Sequence, residues 1–436
     1  MSEKNDLRRL REQSATLAEL TRNIRVLSVL SWPASVRDGF LADWRAGRVR
    51  LPEVEYEPVD HADTIAELEK LEARIDGEHP VGAHLLESTR ACRLIARLIQ
   101  ARGSAEMLEH SLALYGRPGD VLPGGRGRLT NVEAAEHFLQ SMEVLDTYSA
   151  GDEEAAESLS AERARDVLVH GLAEVFDASD CPEVQIDPDL VSKAAASSSR
   201  IRLRGNTGFS EVGVRQLLHH EAFVHSLTKL NGQLQHNLPS LGVSAPRTTG
   251  TQEGLATFAE LVTGNIDLHR LERISLRIVA VDMALNGADF VQVFEYFVKH
   301  GQPPRESFNS AMRIFRGAPL TGGYAFTKDT VYLHGLLSVY TFFLWALRER
   351  RMDLCRWLFA GRMTVSDVLA LEPWFESGWL EPPRYCPPWL TSVGTLAAQL
   401  AFDLFTNKLH IAGVSDTDLS SDPVIGVQDT EPTPGE

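Results

Sequence analysis

The chain has 436 residues, enough for one large domain or for two or three smaller ones. Hydrophobic residues make up 43% and charged residues 24%, the balance of an ordinary soluble globular protein. A formal net charge of −17 argues against nucleic acid or an anionic membrane as the partner.

Helical periodicity dominates the chain. The segment Asp6–Leu30 reads as one helix packed on the body, ended by Trp32-Pro33 because the residue before proline disfavours helical backbone. Residues 1–25 are charged throughout, so no secretory signal is expected. Residues 35–60 read as a short helix and an extended stretch. Residues 63–115 read as two helices broken at Gly77–Pro80, and Gly116–Arg128 as a loop. Helices follow at 131–148 and 155–176. Pro182–Ile186 and Arg200–Arg204 are strand-like, with Ile201 and Leu203 alternating against Arg202 and Arg204.

A helix is expected to start at Ser210, with Phe209 and Val214 at hydrophobic-staple positions. A loop over 231–250 leads to a helix from Thr251 to Thr263, stopped by Gly264-Asn265. Further helices are expected at 267–285, 288–299, 305–315, 328–349, 353–360 and 387–408. The apolar stretch Leu336–Leu347 is too short to span a membrane before Arg348, Glu349 and Arg350. Val414–Glu436 carries six acids, three prolines and no base, which predicts a disordered tail. The four cysteines, Cys92, Cys181, Cys355 and Cys386, form no CxxC pair and are expected as reduced thiols of a cytoplasmic protein.

Chemistry concentrates at His220-Glu221-Ala222-Phe223-Val224-His225. The pattern H-E-x-x-x-H supplies two imidazoles and a carboxylate, the parts of a catalytic zinc site, but is one residue longer than H-E-x-x-H. On a regular helix residues i and i+5 lie about 140° apart. A one-residue π-bulge narrows that angle to roughly 40–50° and lets both rings meet one ion. The pair His219 and His225 stays apart either way. The bland alternative is that these are ordinary helix histidines. A third ligand is available in Thr251-Gln252-Glu253-Gly254-Leu255-Ala256, where Glu253 completes a His2Glu set. Otherwise Glu253 is a first-turn glutamate favoured by the helix dipole. Gly254 is expected to let the two helices approach closely near the metal.

These blocks, with Leu230-Asn231-Gly232, Arg313-Ile314-Phe315-Arg316-Gly317, Phe326-Thr327-Lys328-Asp329 and Tyr332-Leu333-His334-Gly335, resemble the QEGLA-motif family. Its bacterial members are labelled flavohemoglobin expression-modulating QEGLA motif proteins, and it includes the microtubule-associated tyrosine carboxypeptidases of animals. The resemblance spans roughly residues 35–405. It implies one Zn2+ held by His220, His225 and Glu253, with Glu221 as general base. Where the family carries small residues before the second histidine, this chain has Ala222-Phe223-Val224. The implied architecture is mostly α (α+β) and gluzincin-like, with a small sheet beside the motif helix. Residues 1–34 would be a helical extension, 35–410 the catalytic domain and 411–436 the acidic tail.

The implied reaction is removal of a C-terminal residue, with an aromatic one as the candidate, from a peptide or protein. Oxyanion stabilisation would fall to His334, Tyr332 or Arg316. A carboxypeptidase must also hold the terminal carboxylate, for which Arg313, Arg316 and Lys328 are the first candidates and Arg202 and Arg204 the next. The strand Ile201–Arg204 is expected to pair with an extended substrate. The net charge of −17 disfavours acidic tubulin tails as that substrate. Two other readings remain open: a metallohydrolase of non-peptide amides, and a non-catalytic regulator of expression that retains the metal site.

Overall fold

Apolar residues at helical spacing run through most of the chain, and the fold is correspondingly helical. The computed structural model describes residues 3–122, 129–149, 159–188, 190, 193–197, 199–391 and 393–406. The first half carries α1 (Glu3–Thr21), α2 (Val26–Leu30), α3 (Ala34–Arg45), α4 (Ala62–Glu72), α5 (Pro80–Gln100), α6 (Glu106–Tyr115), α7 (Asn131–Ser149) and α8 (Ala161–Ala173). Strands β1 (Glu183–Asp187), β2 (Ala194–Ala196) and β3 (Arg200–Arg204) follow. The motif region consists of α9 (Glu211–Leu217), a π-helical segment (Leu218–Ser226) and α10 (Leu227–Leu234). The remainder comprises α11 (Thr249–Val262), α12 (Leu268–Leu285), α13 (Phe290–Lys299), α14 (Pro304–Phe315), α15 (Val331–Arg348), α16 (Met352–Trp357), α17 (Val365–Glu376), α18 (Pro388–Thr391) and α19 (Val393–Thr406). The acidic tail lies outside the described residues.

Several expectations are corrected. The single helix over Asp6–Leu30 is two, α1 and α2. The two helices over 63–115 are three, because Gly103 (φ 79°) turns the chain after α5 and its N–H donates to the Gly317 carbonyl at 2.8 Å. Helix α17 is an addition. Its signal is Thr364 with Asp367 three residues on, a reciprocal capping box, which Pro373 inside the helix disguises. The span Thr327–Arg348 does meet the length and composition of a membrane-crossing helix, contrary to expectation. Here α15 runs through the core instead, with Leu333, Val339 and Phe343 buried and its body packed on α11.

The sheet has the order β1-β3-β2. Strand β3 pairs in parallel with β1 (Ile201 opposite Val184) and antiparallel with β2 (Leu203 opposite Ala194). Both edges of β3 are therefore filled, and it cannot accept a substrate strand as expected from sequence. The missed element is β2, whose three alanines favour helix over strand. The sheet does stand beside the motif helix: β2 packs on the π-helical segment, and the Ser226 hydroxyl donates to the Ser197 carbonyl at 2.7 Å. At the N-terminus, Leu10 and Leu17 of α1 share one core with Ala222, Phe223 and Val224, and Ser14 bonds Ser240 at 2.8 Å.

The tightest helix pair is α11 with α15. A Cβ at Gly254 would stand 2.2 Å from the Gly335 carbonyl carbon, and one at Gly335 would stand 2.1 Å from the Gly250 oxygen. Gly254 therefore brings α11 against α15, and not against the motif helix as expected. The neighbouring residues divide the remaining work. Leu255 and Ala256 are fully buried, and the Gln252 side-chain amide lies 2.8 Å from the Thr228 hydroxyl. Asn231 ties α10 to the Phe359 and Tyr385 carbonyls at 2.8 Å each. Substituting Gly254→Ala should push α11 and α15 apart and cost about 1–3 kcal/mol of stability, the usual cost of overpacking. Chemical denaturation measures this, and an unchanged midpoint would show that the two helices can separate freely.

Candidate metal centre

The site begins with a well-formed helix start. Ser210 caps α9, its Oγ accepting from the Gly213 N–H at 3.0 Å, and Phe209 and Val214 are both buried. The backbone then widens into π-helical geometry from Leu218 to Ser226 before α10 resumes. The widening is longer than the single bulge expected, and it encloses the whole H-E-x-x-x-H motif. A π turn places i and i+5 over one another. The His220 and His225 rings accordingly stand 4.8 Å apart, nearly perpendicular at 85°.

Glu253 reaches in from the second turn of α11, too far along for a first-turn dipole partner. Its Oε2 lies 3.7 Å from Nε2 of His220 and 3.7 Å from Nε2 of His225. One donor atom from each residue lies within 4.8 Å of the others. Tetrahedral zinc with bonds of about 2.0–2.2 Å separates its ligand atoms by about 3.3–3.6 Å. The two Glu253–histidine separations are close to that range, and the His2Glu donor set is the type that holds zinc, with the wider spread of up to 4.8 Å closing on an ion. His219 points elsewhere, against Phe223 and into a cavity it shares with Val262 and Trp389.

Behind His220 sits Glu260, which the sequence reading passed over. Its Oε1 lies 2.6 Å from His220 Nδ1 and its side chain is fully buried. Gln216 donates to Glu260 at 2.7 Å and Arg270 at 3.3 Å. Burial opposes the charge of Glu260, yet the His220 hydrogen bond and Arg270 hold its carboxyl below the usual range. With Nδ1–H donated to Glu260, the Nε2 lone pair of His220 is left free for an ion between it and Glu253, a carboxylate–histidine arrangement common around zinc. A signal existed: Glu260 lies seven residues after Glu253, on the same face of a helix with no other charged residue.

Cations flank the trio on two sides. Lys328 donates to Glu253 Oε1 at 3.2 Å and lies over the Tyr332 ring at 5.2 Å. Burial opposes the charge of Glu253, but Lys328 and the two histidines hold its carboxyl well below its ordinary range. Arg313 grips Asp329 with two 2.8 Å hydrogen bonds and reaches the Tyr332 hydroxyl at 3.4 Å. On the other side, Arg362 donates to the His225 carbonyl at 3.4 Å and to Ser244 Oγ. Burial lowers its pKa to about 10, against the opposing pull of Glu253 and Glu221. Arg362 was also missed, since nothing in its local sequence marks it. Glu221 itself is half-buried and follows His220 directly in the π segment.

The other candidates lie further off. His334 is two residues beyond Tyr332, about 200° around α15, and burial lowers its pKa while Asp120 raises it. Arg202 pairs with Asp187 at 3.2 Å and Arg204 bonds Thr207 at 3.2 Å. The structure thus brings together His220, His225, Glu253, Lys328, Tyr332 and Arg313, buries Arg316 against the Phe326 ring at 5.2 Å, and leaves His334, Arg202 and Arg204 in other surroundings. Replacing Glu260 with Gln should weaken zinc binding about 10–100-fold by loosening the orientation of His220. Competition with a chromogenic chelator reads this directly, and unaltered affinity would remove Glu260 from the site.

No curated protein matches the chain. The profile of the family described as microtubule-associated tyrosine carboxypeptidase matches residues 40–408. That span runs from α3 to the end of α19 and takes in the histidine motif, Glu253, Glu260, the cationic cluster and Arg362. This chain belongs to the microtubule-associated tyrosine carboxypeptidase family, whose name denotes a carboxypeptidase.

Proposed function

We propose that the protein is a zinc-dependent carboxypeptidase of gluzincin-like architecture, releasing a C-terminal residue, with an aromatic one as the candidate, from a peptide or protein. The observation that carries this reading is the convergence of His220, His225 and Glu253 on one point, with Glu221 beside them. His220, His225 and Glu253 would hold the zinc, which when bound supplies a Lewis acid and lowers the pKa of water.

The chain's own residues supply the rest. The Glu221 carboxylate accepts the proton of the attacking water and delivers it to the leaving amine nitrogen. Glu260 fixes the His220 tautomer so that its lone pair stays directed at the site. Lys328 and Arg362 offset the negative charge of Glu253 and Glu221. Tyr332 and Arg316 remain the candidates for stabilising the oxyanion. The terminal carboxylate of the substrate falls to the cationic cluster that holds Arg313, Arg316 and Lys328. That local cluster also weakens the net-charge argument against acidic substrates, because screening confines charge effects to about 10 Å or less. The four unpaired cysteines fit a reducing compartment and support a cytoplasmic location.

Glu221→Gln should keep stoichiometric zinc and lose about 10²–10⁴-fold in turnover. Elemental analysis with product mass spectrometry tests both halves, and turnover at the unsubstituted level would remove Glu221 as the base. Peptides with free C-termini should lose one residue while their amidated counterparts persist. Equal cleavage of both would sink the carboxypeptidase reading and favour an endopeptidase.

A further inference from the structure

Three guanidinium groups surround a single carboxylate next to the metal centre. Asp329, only 1% exposed, is held bidentately by Arg313 and approached by Arg277 at 3.9 Å. Arg316 is buried over the Phe326 ring at 5.2 Å. Among the described residues Arg316 makes no ion pair, and the buried Nε atoms of Arg277 and Arg316 have no hydrogen-bond partner. The one carboxylate is thus spent on Arg313, and Lys328 is spent on Glu253. Two cationic charges are left over in a place that excludes most water. Such an excess costs free energy until an anion enters.

Burial, with Arg313 beside them, pushes Arg277 down to about 9 and Arg316 to about 10. Asp329 pulls both the other way without offsetting burial and Arg313. The cluster is joined to the site by contacts already described: Glu253 to Lys328, Lys328 to Tyr332, Tyr332 to Arg313 and Arg313 to Asp329. Arg277 keeps 17% of its side chain exposed, while its Nε is buried and engaged only in the long ion pair with Asp329. Arg313 is more exposed at 25% but has its hydrogen bonds committed to Asp329.

We propose that Arg277 of α12 binds the terminal carboxylate of the substrate, with Arg316 supplying supporting charge and the Arg313–Asp329 pair positioning both. This rests on the carboxypeptidase reading and replaces the direct role that Arg313 and Lys328 would otherwise take. The ligand class is a peptide with a free α-carboxylate. Asp329 keeps Arg313 occupied with two hydrogen bonds, which directs the carboxylate to Arg277, whose link to Asp329 is a long 3.9 Å ion pair without a hydrogen bond at Nε.

The test uses the full-length, zinc-loaded Glu221→Gln protein and a fluorescent peptide ending in tyrosine, as the free acid and as the amide. The E221Q background should bind the free acid at least tenfold more tightly than the amide. Adding Arg277→Gln should abolish that preference, Arg277→Lys should restore part of it, and the amide affinity should not move. A preference that survives Arg277→Gln would overturn the assignment to Arg277. Equal binding of acid and amide before any arginine is changed would instead overturn the carboxypeptidase reading. Phenylglyoxal labelling of the E221Q protein with its arginines intact covers the case of a misfolded variant. The free acid should shield Arg277 from modification and the amide should not; equal labelling with both peptides would overturn the proposal.

Discussion

The wide turn of the helix at Leu218–Ser226 is the constraint on which the site depends. It spends favourable α-helical hydrogen bonding over nine residues to superimpose two imidazoles that an α-helix would hold about 140° apart. Ala222, Phe223 and Val224, between the histidines, are buried in the main core. The apolar insert thus has a packing role: the three side chains hold the widened backbone against the body while the histidines face the other way. Ser226 then ties the end of the segment to the sheet at the Ser197 carbonyl.

A second helix must arrive at the right height to complete the donor set. Backbone-to-backbone contact at Gly254 and Gly335 fixes α11 on α15, and α15 is itself the long apolar helix of the core. Glu253 precedes that contact by one residue, so its position is set by the least compressible junction available, one with no side chain in between. Glu260, two turns on, uses the same rigid helix to brace His220. Glu253 and the carboxylate that braces His220 are therefore carried on one element, and their spacing cannot drift independently.

Much of this was legible in the sequence. The extra residue in H-E-x-x-x-H called for a π irregularity, and Ser210, Phe209 and Val214 marked where its helix begins. The carboxylate in Gln252-Glu253-Gly254 suggested a third donor. Elements set by tertiary contact were less legible. The Ala194–Ala196 strand has helical propensity and is a strand only because β3 offers it a ladder. Arg202 and Arg204 alternate as a strand should, but alternation says nothing about whether that strand lies at an edge. Arg277, Glu260 and Arg362 belong to no short motif. Arg277 stands on α12, Glu260 on α11 and Arg362 on the turn after α16; the packing of those elements reveals their surroundings, and in sequence only Glu260 carries a signal, its seven-residue spacing from Glu253. His334 shows the converse: proximity to Tyr332 in sequence places it on another face of the same helix.

The central claim is that one widened helical turn and one glycine-docked helix together build a His2Glu zinc site. The X-ray absorption spectrum of the zinc-loaded protein at the zinc edge tests this most directly. The account predicts one zinc per chain with two imidazole ligands and one carboxylate, at about 2.0–2.2 Å. A spectrum with one imidazole or none would show that His220 and His225 do not share the ion, and would contradict the account.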